Sequence, residues 1–536
     1  MKATTPPTVQ TTSETRIFPI PRFLTPTTKD LSITDSAVAA ISGPEAIWFY
    51  DAPSVAGILS SPLTLTKSLQ KTLVSYPFLA GSLEAIPFLP GGNWTKRYGR
   101  LRAVYGQESD PGIQLVIATC DQELASVVPK NDQRGRIWES GFVPWGLFAG
   151  ENIHMALHDG VELGNLSLMR VKLTTFACGG ISVGVKIVHP IADTETLLNF
   201  MHNWSTIHHE LIGNGSFVKC VSPVLEPGLL MDIAAGDIDS VCPDEDLKES
   251  AYKLPVHRFD WWASANGCPP PFLWRTQCAP EVQSSGVDIP PLGTPIPWED
   301  WDMICPVSHY NIQFSPREIE NMHTAALISR RDTDHPLGLS RLDALLSHIW
   351  GLIIQARHLP ADDEVYFNMV LSFRSRVSPS LPKGFVGTPA ILSYAKSTVS
   401  SAVGLDSLPI LARAIRTSIS SFSPSTIPSF LHNAAYQIDP KRYWQTFIGR
   451  HHVTATAWLH HGVNKVDFGW GRPRHVEPIM PGYMMCITEA DTSGVAAKGE
   501  VEHELWHAGG ANVSIHFETV VMDRLLQNPR LRAFDY

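Results

Sequence analysis

Nine prolines (Pro255, Pro269, Pro270, Pro271, Pro280, Pro290, Pro291, Pro295 and Pro297) fall between residues 251 and 300. Proline lacks the amide proton that a helix interior or a sheet ladder requires, so no long helix or central strand survives that density. The chain must therefore pass here from one folded unit to another. We expect a connection over 226–303, with Trp261, Trp262, Trp274, Trp298 and Trp301 laying it against the protein, and a domain on either side, 19–225 and 304–536. Residues 1–18 hold six Thr and two Pro with almost no apolar periodicity, which predicts a loosely held arm.

Both flanks carry the periods of mixed α/β structure. Leu65, Leu69, Leu73 and Val74 recur at helical spacing until Pro77, and Leu197, Leu198, Met201 and Trp204 mark a helix over 194–208. Between them, 168–176 and 181–188 read as a β-hairpin around Gly179-Gly180, with Ile181, Val183, Val185 and Ile187 alternating against smaller or polar residues. In the second half, 315–325 and 340–357 read as helices and 365–371 and 513–517 as strands. Helices alternating with strands on both sides imply layered α/β domains.

Charge and cysteine narrow the function. A net charge of −10 gives no general grip on nucleic acid or anionic lipid, so an anionic ligand must be held by local donors. The eight cysteines form no C-x-x-C pair, no stretch resembles a secretory signal, and no run reaches the ~18 apolar residues of a membrane span. A cytoplasmic protein with no membrane partner is expected. The His-His pairs at 208–209, 451–452 and 460–461 lack the helical spacing of metal ligands, so no metal is expected.

The chemistry concentrates after the second hairpin strand, which runs into His189-Pro190-Ile191-Ala192-Asp193 and then a helix. A histidine leaving a rigid strand end suits a general base, since its ordinary pKa of about 6.5 lies near working pH. Gly180-Ile181-Ser182-Val183-Gly184 satisfies the G-x-S-x-G of a hydrolase. That motif needs its serine on a sharp strand-to-helix turn, and here the alternation continues past Ser182. A serine esterase using Ser182 is the weaker alternative, beside a non-catalytic binding member of the same fold.

Asp467-Phe468-Gly469-Trp470-Gly471 follows His189 by 278 residues. H-x-x-x-D followed far downstream by D-F-G-W-G resembles the BAHD family of acyl-CoA-dependent acyltransferases. LTKSLQKTLVSYPFLAG at 65–81, LDALLSHIWGLIIQAR at 342–357, RSRVSPSLPKGFVG at 374–387 and TATAW at 454–458 extend the likeness from about Leu31 to Phe534. Ser372 stands where many members carry Asp and Thr388 where many carry Asn, a pattern closer to fungal-type members such as the trichothecene O-acetyltransferases.

The resemblance implies two chloramphenicol-acetyltransferase-like domains, each a mixed β-sheet with flanking helices, and an active-site tunnel between them. It implies His189 as general base and Thr456 as oxyanion donor, with Ser340, Ser372 and Lys383 on the CoA side. Asp193 would be structural, paired with Arg374, and Asp467, Gly469, Trp470 and Gly471 would shape a structural turn. The expected partners are acyl-CoA, most simply acetyl-CoA, and a small secondary-metabolite alcohol or, second, an amine. A monomer is expected.

Overall fold

The computed structural model describes residues 6–22, 24–52, 62–149, 166–213, 220–328, 338–491 and 505–536. Two large mixed sheets organise the chain. The first runs Val9–Ile17, Ile113–Cys120, Met169–Phe176, Ile181–Ile187, Glu45–Tyr50, His475–Pro478, and the second runs Ala390–Thr398, Glu364–Ser372, His452–Trp458, Met484–Glu489, Ala511–Glu518, Val307–Phe314, Ile137–Glu139. Helix Thr194–Leu211 packs against Pro62–Thr72 beside the first sheet, and helix Arg341–Arg357 lies in the core of the second.

The last strand of each sheet comes from the other half of the chain. His475–Pro478 pairs antiparallel with Glu45–Tyr50, while Ile137–Glu139 pairs antiparallel with Val307–Phe314. The contiguous division 19–225 and 304–536 is corrected accordingly: each half lends the other an edge strand. Neither loan is legible in the sequence, because segments of three and four residues carry too little periodicity to declare a partner.

The expected arm over 1–18 is also corrected. Val9–Ile17 is an edge strand whose register with Ile113–Cys120 runs from Val9↔Cys120 to Ile17↔Ile113. Its side chains are mostly exposed, so main-chain hydrogen bonds and the strand preference of threonine hold it in place of an apolar stripe.

The connection contains short helices, including Gly228–Met231 and Glu245–Tyr252, and the proline-dense part forms the short helical segments Pro270–Thr276 and Pro280–Ser284. Trp261 stacks on Trp444 at 4.8 Å and packs with Trp298 in a small core of its own with Phe447. Buried Arg442 grips Asp260 with bonds of 2.8 and 2.6 Å, tying the connection to the second half.

The D-F-G-W-G segment belongs spatially to the first domain. Phe468 is fully buried against Trp204 (4.9 Å) and Tyr50 (5.9 Å), and the Tyr50 hydroxyl donates to the Val466 carbonyl at 2.9 Å. Asp467 Oδ1 accepts from the amides of Gly469, Trp470 and Gly471 at 2.7, 3.0 and 2.9 Å. Gly469 and Gly471 both have φ of +89°, a turn that other residues adopt only with strain.

Candidate active site

The strand Ile181–Ile187 ends one residue before the expected Val188, and His189 opens a tight turn in which the amides of Ile191 and Ala192 bond back to the Val188 carbonyl. Asp193 then caps helix Thr194–Leu211, its Oδ1 accepting from the Thr196 amide at 3.1 Å. These five residues thus redirect the chain from sheet to helix and leave His189 at the bend.

From the second half, Gly387 bridges Ala192 and Thr388 reaches His189. Gly387 has φ of +124°, and a Cβ there would lie 2.7 Å from Asp35 Oδ1, so the close approach requires glycine. Thr388 Oγ1 lies 3.1 Å from His189 Nδ1 and 2.8 Å from the His189 carbonyl oxygen. The carbonyl can only accept, so the single hydroxyl proton goes there, and the hydroxyl oxygen accepts from Nδ1–H. This fixes the neutral tautomer with its lone pair on Nε2. Burial pulls the His189 pKa below its ordinary value, against the opposing charge of Asp193, and so keeps the ring neutral.

Asp193 makes no hydrogen bond to His189 among the described residues. Its carboxylate faces Arg374, with Nη1 to Oδ2 as the tighter contact and Nη2 to Oδ1 at 3.0 Å. Burial works to raise the Asp193 pKa, but the Arg374 charge together with the hydrogen bonds from Arg374 and the Thr196 amide outweighs it and holds the group below its ordinary value. Arg374 Nη2 also donates to the carbonyls of Phe385 and Gly387 at 3.0 and 3.4 Å, and Glu195 lies 3.5 Å from its Nε. Arg374 thereby fastens both the His189 turn and the segment that delivers Thr388.

Thr456 sits half-buried in strand His452–Trp458. Val453 and Ala455 point into the core beneath helix Arg341–Arg357, whereas Trp458 packs into the core of the first domain. Alternation therefore turns Thr456 toward the first domain, between Trp458 and Thr454, whose hydroxyl accepts from Asn368 at 3.1 Å.

The three CoA-side candidates separate. Ser372 Oγ accepts from the Arg374 amide at 3.3 Å, and Lys383 is exposed on the segment that runs from Arg374 to its carbonyl partners Phe385 and Gly387. Ser340 instead caps helix Arg341–Arg357, its Oγ accepting from the Asp343 amide at 3.1 Å and Arg416 Nη2 at 2.9 Å. Ser182 lies fully buried within strand Ile181–Ile187, and its hydroxyl finds no hydrogen-bond partner among the described residues. It has neither the turn nor the base of a nucleophile, which removes the footing of the esterase reading.

Sequence reasoning missed Asp35. In the short helix Ile33–Ala37 its Oδ2 accepts from the Ser32 amide at 3.0 Å, and its Oδ1 accepts from the Thr388 amide at 2.6 Å. Burial pushes its pKa up to about 6. The Ser32-x-x-Asp35 capping signature was legible, but the long-range bond to Thr388 was not. Two described cavities, of about 460 and 740 Å³, lie among Ser347, His348, Asp406 and Arg530 and among His257, Tyr366, Tyr394 and His452; neither is lined by His189.

The sequence profile of a family described as the Transferase family matches residues 7–89, 151–218 and 307–490. The chain is 24% identical over 478 residues to the acyltransferase AFT15-1 of Alternaria alternata, covering 88% of this chain and 87% of that protein. It is 22% identical over 541 residues to the acyltransferase abl6 of Leptosphaeria maculans, covering 98% of both. Among solved structures, vinorine synthase superposes with a TM-score of 0.57 at 17% identity over 96% of both chains. TRI101 of F. graminearum, solved with coenzyme A and deoxynivalenol, gives a TM-score of 0.60 at 16% identity over 95% of this chain and 98% of its own. These similarities match the two-domain mixed α/β architecture described above.

Proposed function

This chain belongs to the Transferase family, the BAHD group of acyl-CoA-dependent acyltransferases, and on that premise we propose that it moves an acetyl group from acetyl-CoA to the hydroxyl of a small secondary-metabolite acceptor, with His189 as the base. The Thr388–His189 pair carries this reading, because it leaves Nε2 unprotonated on a buried neutral ring. Nε2 takes the hydroxyl proton as the acceptor oxygen attacks the thioester carbonyl. Thr456 donates to the oxyanion of the resulting tetrahedral species, which collapses as its carbon–sulfur bond breaks and the Nε2 proton passes to the departing CoA sulfur. No covalent acyl-enzyme forms.

Acceptor and donor would approach His189 through a passage between the two sheets. Ser372, whose hydroxyl accepts from the Arg374 amide, and exposed Lys383 are the donor-side candidates; Ser340, committed to a helix cap, is the weaker one. The resemblance to TRI101, solved with coenzyme A and with T-2 or deoxynivalenol, supports an acyl-CoA donor and a small-molecule acceptor. No helix among the described residues is long and apolar enough to cross a membrane.

The test is a panel of alcohols and amines with acetyl-CoA, reading free thiol and acylated product by mass spectrometry. Acylated alcohol from the native protein and a loss of about 10² to 10⁴ in rate for a folded His189→Ala variant are expected. Turnover retained within about tenfold in His189→Ala overturns the base assignment, and ester hydrolysis without CoA overturns the transferase reading.

A further inference from the structure

Away from His189, residues remote in sequence converge where the borrowed strand His475–Pro478 faces the second sheet. Glu477 is fully buried, and its Oε2 accepts from His475 Nε2 at 2.8 Å and Asn311 Nδ2 at 3.0 Å. Its Oε1 faces the Ser514 hydroxyl at 3.0 Å and His309 Nε2 at 3.3 Å. His309 and His516, opposite each other in neighbouring strands, stack with ring centroids 3.6 Å apart. One ligand atom from each of His309, Glu477 and His516 lies within 4.8 Å of the other two.

We propose that His309, Glu477 and His516 form a binding site for one divalent transition-metal ion of the zinc class, cross-linking the borrowed strand to the second sheet. Two imidazoles and one carboxylate are a donor set suited to such ions, and Ser514 Oγ stands close enough to supply a further oxygen or hold a water. His516 Nε2 is sealed from solvent and has no hydrogen-bond partner among the described residues, so it is uncommitted beside the carboxylate.

The surrounding contacts orient the donors. Arg134 Nη1 donates to His475 Nδ1 at 2.7 Å, so His475 Nε2–H points at Glu477 and pins one carboxylate oxygen, leaving the other for an ion. Trp145 Nε1 donates to His309 Nδ1 at 3.3 Å, among the looser contacts around the cluster. Loading through His309 Nε2 shifts the ring's one proton from Nε2 to Nδ1, which opens the Trp145 contact and releases no proton. The site needs no part of the acyl-transfer chemistry.

The full chain, stripped with EDTA, would be titrated with Zn²⁺ and separately with Co²⁺. One tightly held equivalent, a visible d–d absorption band with Co²⁺, and a melting temperature several degrees higher at saturating Zn²⁺ are expected. His516→Ala removes a ligand without leaving a hydrogen bond unmade, and should lose the band and the thermal shift while remaining folded. His516→Gln is the second variant should the alanine protein not fold, with the same losses expected. No stoichiometric binding by the native chain overturns the proposal. So does an equivalent retained in a folded His516 variant, which would mark adventitious capture by other histidines.

Discussion

Thr388 Oγ1 stands 3.1 Å from the imidazole Nδ1 of His189 and 2.8 Å from that residue's own carbonyl oxygen, so one hydroxyl from the second domain grips both ends of a residue in the first. Removing it should unsettle the tautomer as well as the turn. In Thr388→Val we expect kcat to fall by about tenfold or more with little change in KM for acyl-CoA, and stability to drop by about 1–2 kcal/mol for the unmet carbonyl. Thr388→Ser should restore most of kcat. Equal turnover in the valine and native proteins would remove Thr388 from the mechanism.

The pH profile follows from the environment of His189. Burial lowers its pKa, so the acid limb of kcat/KM should fall at a pH below 6.5, where the ring finally takes a proton. Asp193 opposes that shift, so Asp193→Asn should move the limb to still lower pH in whatever fraction remains folded. A limb above pH 6.5, or one moving upward in the variant, contradicts the assignment.

Acid stability is set by histidines held neutral inside the fold. Burial lowers the pKa of His257, His348 and His461 to about 4 each. The unfolded chain binds their protons from pH 6.5 downward and the folded chain does not, so stability falls as pH drops from 6.5 towards 4. The loss is at most about 1.4 kcal/mol per pH unit for each group. Asp35, raised to about 6, works in the opposite sense, because the folded state takes its proton first. Urea midpoints from pH 7 to 4.5 should decline, and a flat profile would argue against buried neutral rings.

Asp193 and Arg374 should be unequal partners. Each single alanine variant breaks a largely buried pair and should cost about 3 kcal/mol, but Arg374→Ala also strands the carbonyls of Phe385 and Gly387 and should cost more. The double variant should cost well below the sum of the singles. Strictly additive losses in thermal unfolding, or a normally stable yet inactive Asp193→Asn, would favour a dyad with His189.

Ser182→Ala should leave activity within about twofold and stability unchanged or slightly higher, since a buried hydroxyl with no partner is being removed. An inactive but folded Ser182→Ala protein would restore the hydrolase reading.

Much of the site was legible because it is local. The alternation of Ile181 to Ile187, the turn at His189-Pro190 and the cap at Asp193 are each encoded within a few residues, and the structure shows them as strand, bend and helix N-terminus. The Asp467 turn is likewise local, with a side chain and two glycines supplying the geometry that Phe468 and Trp470 fill. Val9–Ile17 escaped notice because an exposed edge strand needs hydrogen-bond partners but no apolar period.

By itself the sequence determined most of the element types and, through two motifs 278 residues apart, the family. The elements depend on backbone preference and hydrophobic period, which act over a few residues, and the family on motifs that resemble known ones. Only the tertiary structure decided that the halves exchange edge strands, that Thr388 and Asp35 stand behind His189, and that His309, Glu477 and His516 converge. Contacts between residues hundreds of positions apart exist only once both sheets have packed, and short polar segments carry no period that announces their partners.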